Sequence, residues 1–174
     1  EVESLSHSLN LFYGGVEVKS HGEERIQETL RLMTEKTPVI FQATFIKDGF
    51  IVRNDALKYD PANNCWDLYE IKATNSIHEG GRKRDHIVDI AFQVSVLYRS
   101  DVRLGRYFHV RLNKEYVRAG DIDVEALFEI EDVTLEVIKD YKKYGLVKER
   151  GFLIKLISWL LINISNLGIV SILI

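Results

Sequence analysis

The chain has 174 residues, 46% of them apolar and 28% charged, with a formal net charge of −3 at neutral pH. Those values describe one ordinary globular domain with a substantial core and exclude a low-complexity or disordered chain. The slightly acidic balance excludes a global positive field for nucleic acid or anionic lipid, leaving at most a locally basic cleft. The single cysteine, Cys65, excludes an internal disulfide and any four-cysteine zinc or iron–sulfur site, and it fits a reducing, cytoplasmic setting.

In chain order, Val2, Leu5, Leu9 and Phe12 have helical spacing and stop at the Gly14-Gly15 turn. A second amphipathic helix is predicted over Glu23–Lys36, with Ile26, Leu30 and Met33 on its apolar face and Pro38 ending it. Three strands follow, Val39–Ile46, Phe50–Tyr59 and Trp66–Ala73, joined by the turn sequences "KDG" and "DPANN" as antiparallel hairpins. Lys83–Arg99 reads as a long helix with Ile87, Ile90, Ala91, Val94 and Leu97 buried. Gly105–Leu112 is a fourth strand, "GDIDVEALFEIEDVT" holds a short fifth strand or turn region, and Val133–Lys148 is a last amphipathic helix. A mixed sheet flanked by helices, an α/β fold, is the simplest assembly.

The ends differ from the rest. The chain opens at Glu1 with no signal-peptide pattern, as a fragment of a larger protein or a trimmed product would. Residues 151–174 form a separate apolar tail, and Leu156–Ile174 carries no charge over 19 residues. That length can span a bilayer, with Lys155 and the Lys142/Lys143 and Lys148/Arg150 charges ahead of it. Asn163, Ser165 and Asn166 near its middle argue for a tail that does not span.

The chemistry concentrates in "WDLYEIKAT", Trp66 to Thr74. Glu70 and Lys72 share a strand face, as Arg53, Asp55 and Leu57 do on the strand before. The 14 residues between Asp55 and Glu70 make one hairpin, so the two carboxylates can sit side by side on adjacent strands. Such a pair repels unless a cation neutralises it, and hard oxygen ligands suit Mg²⁺ or Mn²⁺. Lys72 beside the metal would orient or deprotonate a water and stabilise developing negative charge. Glu-x-Lys alone is also the pattern of a solvated edge strand.

"FIVRNDALKYDPANNCWDLYEIKAT", followed by a helix bearing "DHIVDIAFQVSVLY", resembles the RecB-type nucleases of the PD-(D/E)XK superfamily over roughly Val39 to Thr134. The resemblance implies a restriction-endonuclease-like core over residues 1–150 and a Mg²⁺- or Mn²⁺-dependent deoxyribonuclease, exonuclease-like, acting in DNA repair or defence. It implies metal ligation by Asp55, Glu70 and the Ile71 backbone carbonyl, catalysis by Lys72, and substrate placement by Gln93 with Tyr98. Three features depart from the family. The Gln-to-Tyr spacing is one residue longer than usual, Gln42 stands where a Glu is frequent, and neither His7 nor His21 falls in the family's histidine pattern. The iron–sulfur cluster of some members is impossible with one cysteine. The alternative is a nuclease-fold module that binds nucleic acid or protein without hydrolysis.

Lys83, Arg84 and His86 open the helix near this cleft, as phosphate contacts or merely a solvated helix start. Arg99, Arg103, Arg106, Arg111, Lys114 and Arg118 form the best local basic run for a nucleic-acid backbone. Tyr107 and Tyr116 beside it are more in keeping with core packing than base stacking, and His109 reads as a satisfied sheet residue rather than a ligand.

Overall fold

The computed structural model describes residues 6–72 and 82–143, with side chains described over 6–72 and 86–140. Six strands lie in sequence order in one sheet: β1 (Gly15–Glu17), β2 (Val39–Lys47), β3 (Phe50–Asp60), β4 (Cys65–Lys72), β5 (Leu104–Leu112) and β6 (Phe128–Asp132). β1/β2 and β4/β5 pair parallel and the other three pairs antiparallel, so the sheet is mixed and the fold α/β. Parallel neighbours need a crossover. Helix α1 (Glu24–Thr34) supplies it between β1 and β2, and α2 (Arg82–Arg99) between β4 and β5. A short helix, α3 (Val124–Leu127), and α4 (Thr134–Lys143) complete the described elements.

The turns behave as their residues dictate. Asp48 and Gly49 both have positive φ, 52° and 79°, the tight two-residue hairpin geometry that Asp-Gly favours. In the second hairpin the Asp60 carboxylate accepts from the backbone N–H of Ala62 at 2.9 Å and from the Asn63 side chain at 2.7 Å, fixing the bend.

Both faces of the sheet are covered. On one, α2 buries Ile87, Ile90, Ala91, Val94 and Leu97, the stripe expected from sequence, against Ile40, Leu57, Trp66 and Leu68, with Val133, Val137 and Ile138 beside it. On the other, Leu9 and Phe12 pack on Phe41, Ala56, Tyr69, Ile71, Phe108 and Val110. Tyr69 stacks on Phe108 at 4.6 Å and meets Phe12 edge-on at 5.1 Å.

Two expectations change. Of the first predicted helix, Ser6 is helical, and the chain then passes through a turn to a 3₁₀ turn at Asn10–Phe12; the Gly-Gly turn after it leads into strand β1, too short to leave a period. Helix α1 is turned part-way from its predicted face: Met33 packs against the core as expected, but Thr29 and Leu32 are the buried residues and Leu30 is 46% exposed. The Thr29 hydroxyl donates to the Arg25 carbonyl and accepts the Thr44 N–H at 3.0 Å, docking the helix on β2 through a polar contact that apolar periodicity cannot see. The short fifth strand expected from sequence is β6, preceded by α3. The amino-terminal Val2 and Leu5, the Ala73–Thr74 end of "WDLYEIKAT" and the apolar tail lie outside the described residues. No helix among the described residues is long and apolar enough to cross a membrane.

The β4/β5 register shifts between Trp66↔Leu104 and Leu68↔Tyr107, an extra residue on β5. The Arg106 N–H at this bulge donates to the buried Asp67 carboxylate at 2.7 Å. Gly105 makes room for that contact. A Cβ there would collide with an Asp67 carboxylate oxygen and lie 2.8 Å from the buried Cys65 Sγ, whose thiol burial pushes up to about 11. Gly105→Ala should therefore lower stability by about 1–3 kcal/mol in urea unfolding; an unchanged midpoint would show that the strands accommodate the methyl without strain.

Candidate active site

β4 is a central strand, between β3 and β5, and is buried from Cys65 to Ile71. The solvated-edge reading of Glu-x-Lys is therefore excluded by position. A strand covered on both faces normally reads as a continuous apolar run, so the carboxylate of Glu70, 4% exposed, needs a specific compensation.

It has two partners. Gln93 Nε2 on α2 donates to Glu70 Oε2 at 2.6 Å, and Lys72 Nζ forms an ion pair with Glu70 Oε1. Gln93 is fixed in turn by Asn54, whose Nδ2 donates to Gln93 Oε1 at 2.6 Å. Asn54, Gln93, Glu70 and Lys72 thus form one polar chain linking β3, α2 and β4. Burial alone would pull the Lys72 amine down. The hydrogen bond that its Nζ donates to Glu70 and the charges of Glu70, Asp55 and Asp89 more than offset it, raising Lys72 above the usual lysine range. Lys72 is an ammonium here, suited to stabilising negative charge rather than to removing a proton from water.

Asp55 sits at a break in the sheet. The β2/β3 ladder pairs Phe41 with Ala56 and Ala43 with Asn54, and its regular register is interrupted at Gln42 and Asp55 between them. Gln42 has φ 59°, a left-handed conformation uncommon for any residue but glycine. Alternation resets there on both strands. Ile40 and Ala43 reach the same core, three residues apart, as do Val52 and Leu57, five apart. The β3/β4 ladder ends one step earlier, at Ala56↔Tyr69, so continued register would set Asp55 opposite Glu70. Where the strands part, the Asp55 carboxylate takes over as a partner: Oδ2 accepts the Ile71 N–H at 2.7 Å. N–H and C=O of one strand residue leave on the same side, so the Ile71 carbonyl lies on the Asp55 side of β4.

Continued register thus sets Asp55 beside Glu70 and the Ile71 main chain, bringing three candidate oxygen donors near a lysine. No group of three His, Cys, Asp or Glu side chains among the described residues forms a closed metal cage. The donor set fits a hard cation that keeps water or substrate oxygens in most positions, as Mg²⁺ and Mn²⁺ do, once Lys72 yields its place on Glu70.

Of the other residues singled out in the sequence, Tyr98 is half-buried and packs against the α2-side core. Lys83 and Arg84 fall in the first turn of α2, where side chains lie outside the described residues. Four arginines of the basic run have partners within the chain. Arg99 pairs with Asp48, Arg106 with Asp67, Arg111 with Glu129, and Arg118 donates to the Gly120 carbonyl. Tyr107 is core, and the Tyr116 hydroxyl accepts the Asp123 N–H. A groove of about 710 Å³ at the amino-terminal edge, lined by His7, Tyr13, Lys19 and Phe41 among others, contains none of the catalytic candidates.

Sequence reasoning missed two groups. Asn54 was hidden because strict alternation assigns it to the face opposite Asp55. His109 was expected to be satisfied, yet its Nε2 has no hydrogen-bond partner among the described residues. Register sets it beside Glu70, and its ring lies 5.0 Å from that of His86. The strand position opposite a buried acid was the one available signal.

Burial, with the neighbouring His86, pulls the His109 imidazole down to about 4. A ring neutral when folded and titrating near 6.5 when unfolded gives stability that is full above about pH 6.5 and lost as pH falls towards 4. The whole effect is at most about 3 kcal/mol. Urea unfolding between pH 7.5 and 4.5 should show this decline, and His109→Gln should flatten it relative to wild type; identical slopes would remove His109 as its source. The sequence matches no protein-family model and no curated protein, so what this cluster can do rests on its own geometry.

Proposed function

We propose that the protein is a Mg²⁺- or Mn²⁺-dependent nuclease with a RecB-like PD-(D/E)XK core, hydrolysing DNA phosphodiester bonds in the cytoplasm, alone or as part of a larger protein. One observation carries the reading: Lys72 and Gln93 are both bonded to buried Glu70, beside the Asp55 carboxylate that accepts the Ile71 N–H one residue along.

Asp55, Glu70 and the Ile71 carbonyl would hold the metal, which when bound supplies an activated water and neutralises phosphate charge. Lys72, an ammonium two residues from Glu70, stabilises the negative charge that grows on the phosphoryl oxygens. Gln93, held by Asn54, fixes the carboxylate of Glu70 so that its orientation does not depend on ligand. The closed chain from β3 through α2 to β4 keeps these groups in register before substrate arrives.

A binding module on the same fold is the second reading. Gln42, neutral and at the same interruption of register as Asp55, favours it, because a carboxylate there would add a ligand that this chain lacks.

A labelled oligonucleotide with Mn²⁺ separates the two. Wild type should cut; Lys72→Ala should keep most of its DNA affinity and cut about 10²–10⁴-fold more slowly. Lys72→Arg should not rescue, since a guanidinium does not reproduce a compact ammonium. The Asp55→Ala, Glu70→Ala double variant should lose the metal-induced thermal shift. DNA bound but never cut with any metal would make the binding module correct.

A further inference from the structure

Two buried polar atoms on β5 have no hydrogen-bond partner among the described residues: His109 Nε2 and Arg111 Nε. His109 is 4% exposed and the Arg111 side chain 15%. Two residues apart on one strand, they share a face with Cα atoms about 7 Å apart. Register places His109 beside Glu70 and Arg111 beside Lys72.

Buried donors without acceptors are costly, and two on one face point to something that fills them. The Arg111 guanidinium has five N–H groups. Glu129 takes Nη2 and leaves the Nε edge. The His109 imidazole can donate an N–H from its unpartnered Nε2. Lys72 adds an ammonium one strand away. What complements an arginine edge, an imidazole N–H and an ammonium is a small anion with several oxygens. Glu129 and Glu131, cross-strand partners of Arg111 and His109, guard the β6 side. An anion would come in from the β4 side, where Lys72 stands, under His86.

We propose that His109, Arg111 and Lys72 form a phosphoryl-binding subsite adjoining the Asp55–Glu70 pair, seating a phosphate of the nucleic-acid substrate next to the bond that is cut. The subsite rests on the nuclease reading only for the source of its phosphate. The shared chemistry is a phosphoryl oxyanion, from a terminal phosphomonoester or from an internal phosphodiester.

Calorimetry with inorganic phosphate in metal-free buffer tests it without any turnover. Wild type should bind. Arg111→Gln and His109→Phe should each weaken binding about tenfold, the loss of one charge-assisted or buried hydrogen bond. Arg111→Lys, which keeps the charge and can still reach Glu129 but lacks the Nε edge, should weaken it too. If Arg111→Gln or His109→Phe fails to fold, Arg111→Lys and the ring ¹⁵N resonances of wild-type His109 during a phosphate titration decide the matter. Resonances that do not move, or variants that bind like wild type, overturn the subsite. Oligonucleotides with a 5′-phosphate or a 5′-hydroxyl then identify the source: tighter binding of the phosphorylated end assigns a terminal group, equal binding an internal one. Cleavage by wild type without phosphate binding sinks the subsite alone. Phosphate binding lost in the variants, with no cleavage under any metal, sinks the nuclease reading and leaves the subsite standing.

Discussion

A carboxylate in the middle of a doubly covered strand is the constraint around which the rest of the molecule is arranged. Buried Glu70 is compensated by Lys72 against one oxygen and by Gln93, which donates to the other. Removing a partner from such a buried ion typically costs several kcal/mol, far more than an exposed pair is worth. Gln93 must therefore hold its rotamer, which Asn54 ensures, and α2 must hold its place over the sheet, which its five apolar anchors ensure. The apolar core and the polar chain thus fix the same helix. A chain that merely needed stability would do better with a leucine at position 70, so the cost of the buried acid is itself an argument that the site has work to do.

The sheet is irregular next to that acid. Two strands change face together at Gln42 and Asp55, and the Asp55 side chain accepts the Ile71 N–H. Apolar side chains cover the sheet on both faces around this point. The position of Asp55 and Glu70 is set by hydrogen bonds already made to β4 and α2, not by side chains drawn together by a ligand.

Much of this was legible in the chain. Turn chemistry at "KDG" and "DPANN" bounded the hairpin strands to within a residue or two, and the 3.6-residue period of α2 named its buried stripe. The antiparallel pairing of the strands that carry Asp55 and Glu70 followed from hairpin length. What was not legible depended on exceptions to period. Alternation assumes an unbroken strand, and nothing about Gln42 announces a left-handed backbone, so Asn54 was assigned to the wrong face. Thr29 docks α1 through a hydrogen bond to a strand fifteen residues away. The basic run from Arg99 to Arg118 was legible as charge, but charge counts do not show that Asp48, Asp67 and Glu129 would pair with three of its arginines.

The buried thiol beside the β4/β5 bulge has a practical side. Cys65 is the chain's one cysteine, shielded by Gly105 and Asp67 and protonated at neutral pH. Since the thiolate is the species that reacts, maleimides and disulfide reagents should leave it untouched in the folded protein. Any cysteine introduced at an exposed position would then be the sole labelling point, without first removing the native one. A fluorophore on the β2–β3 hairpin tip would then report on an otherwise unaltered molecule.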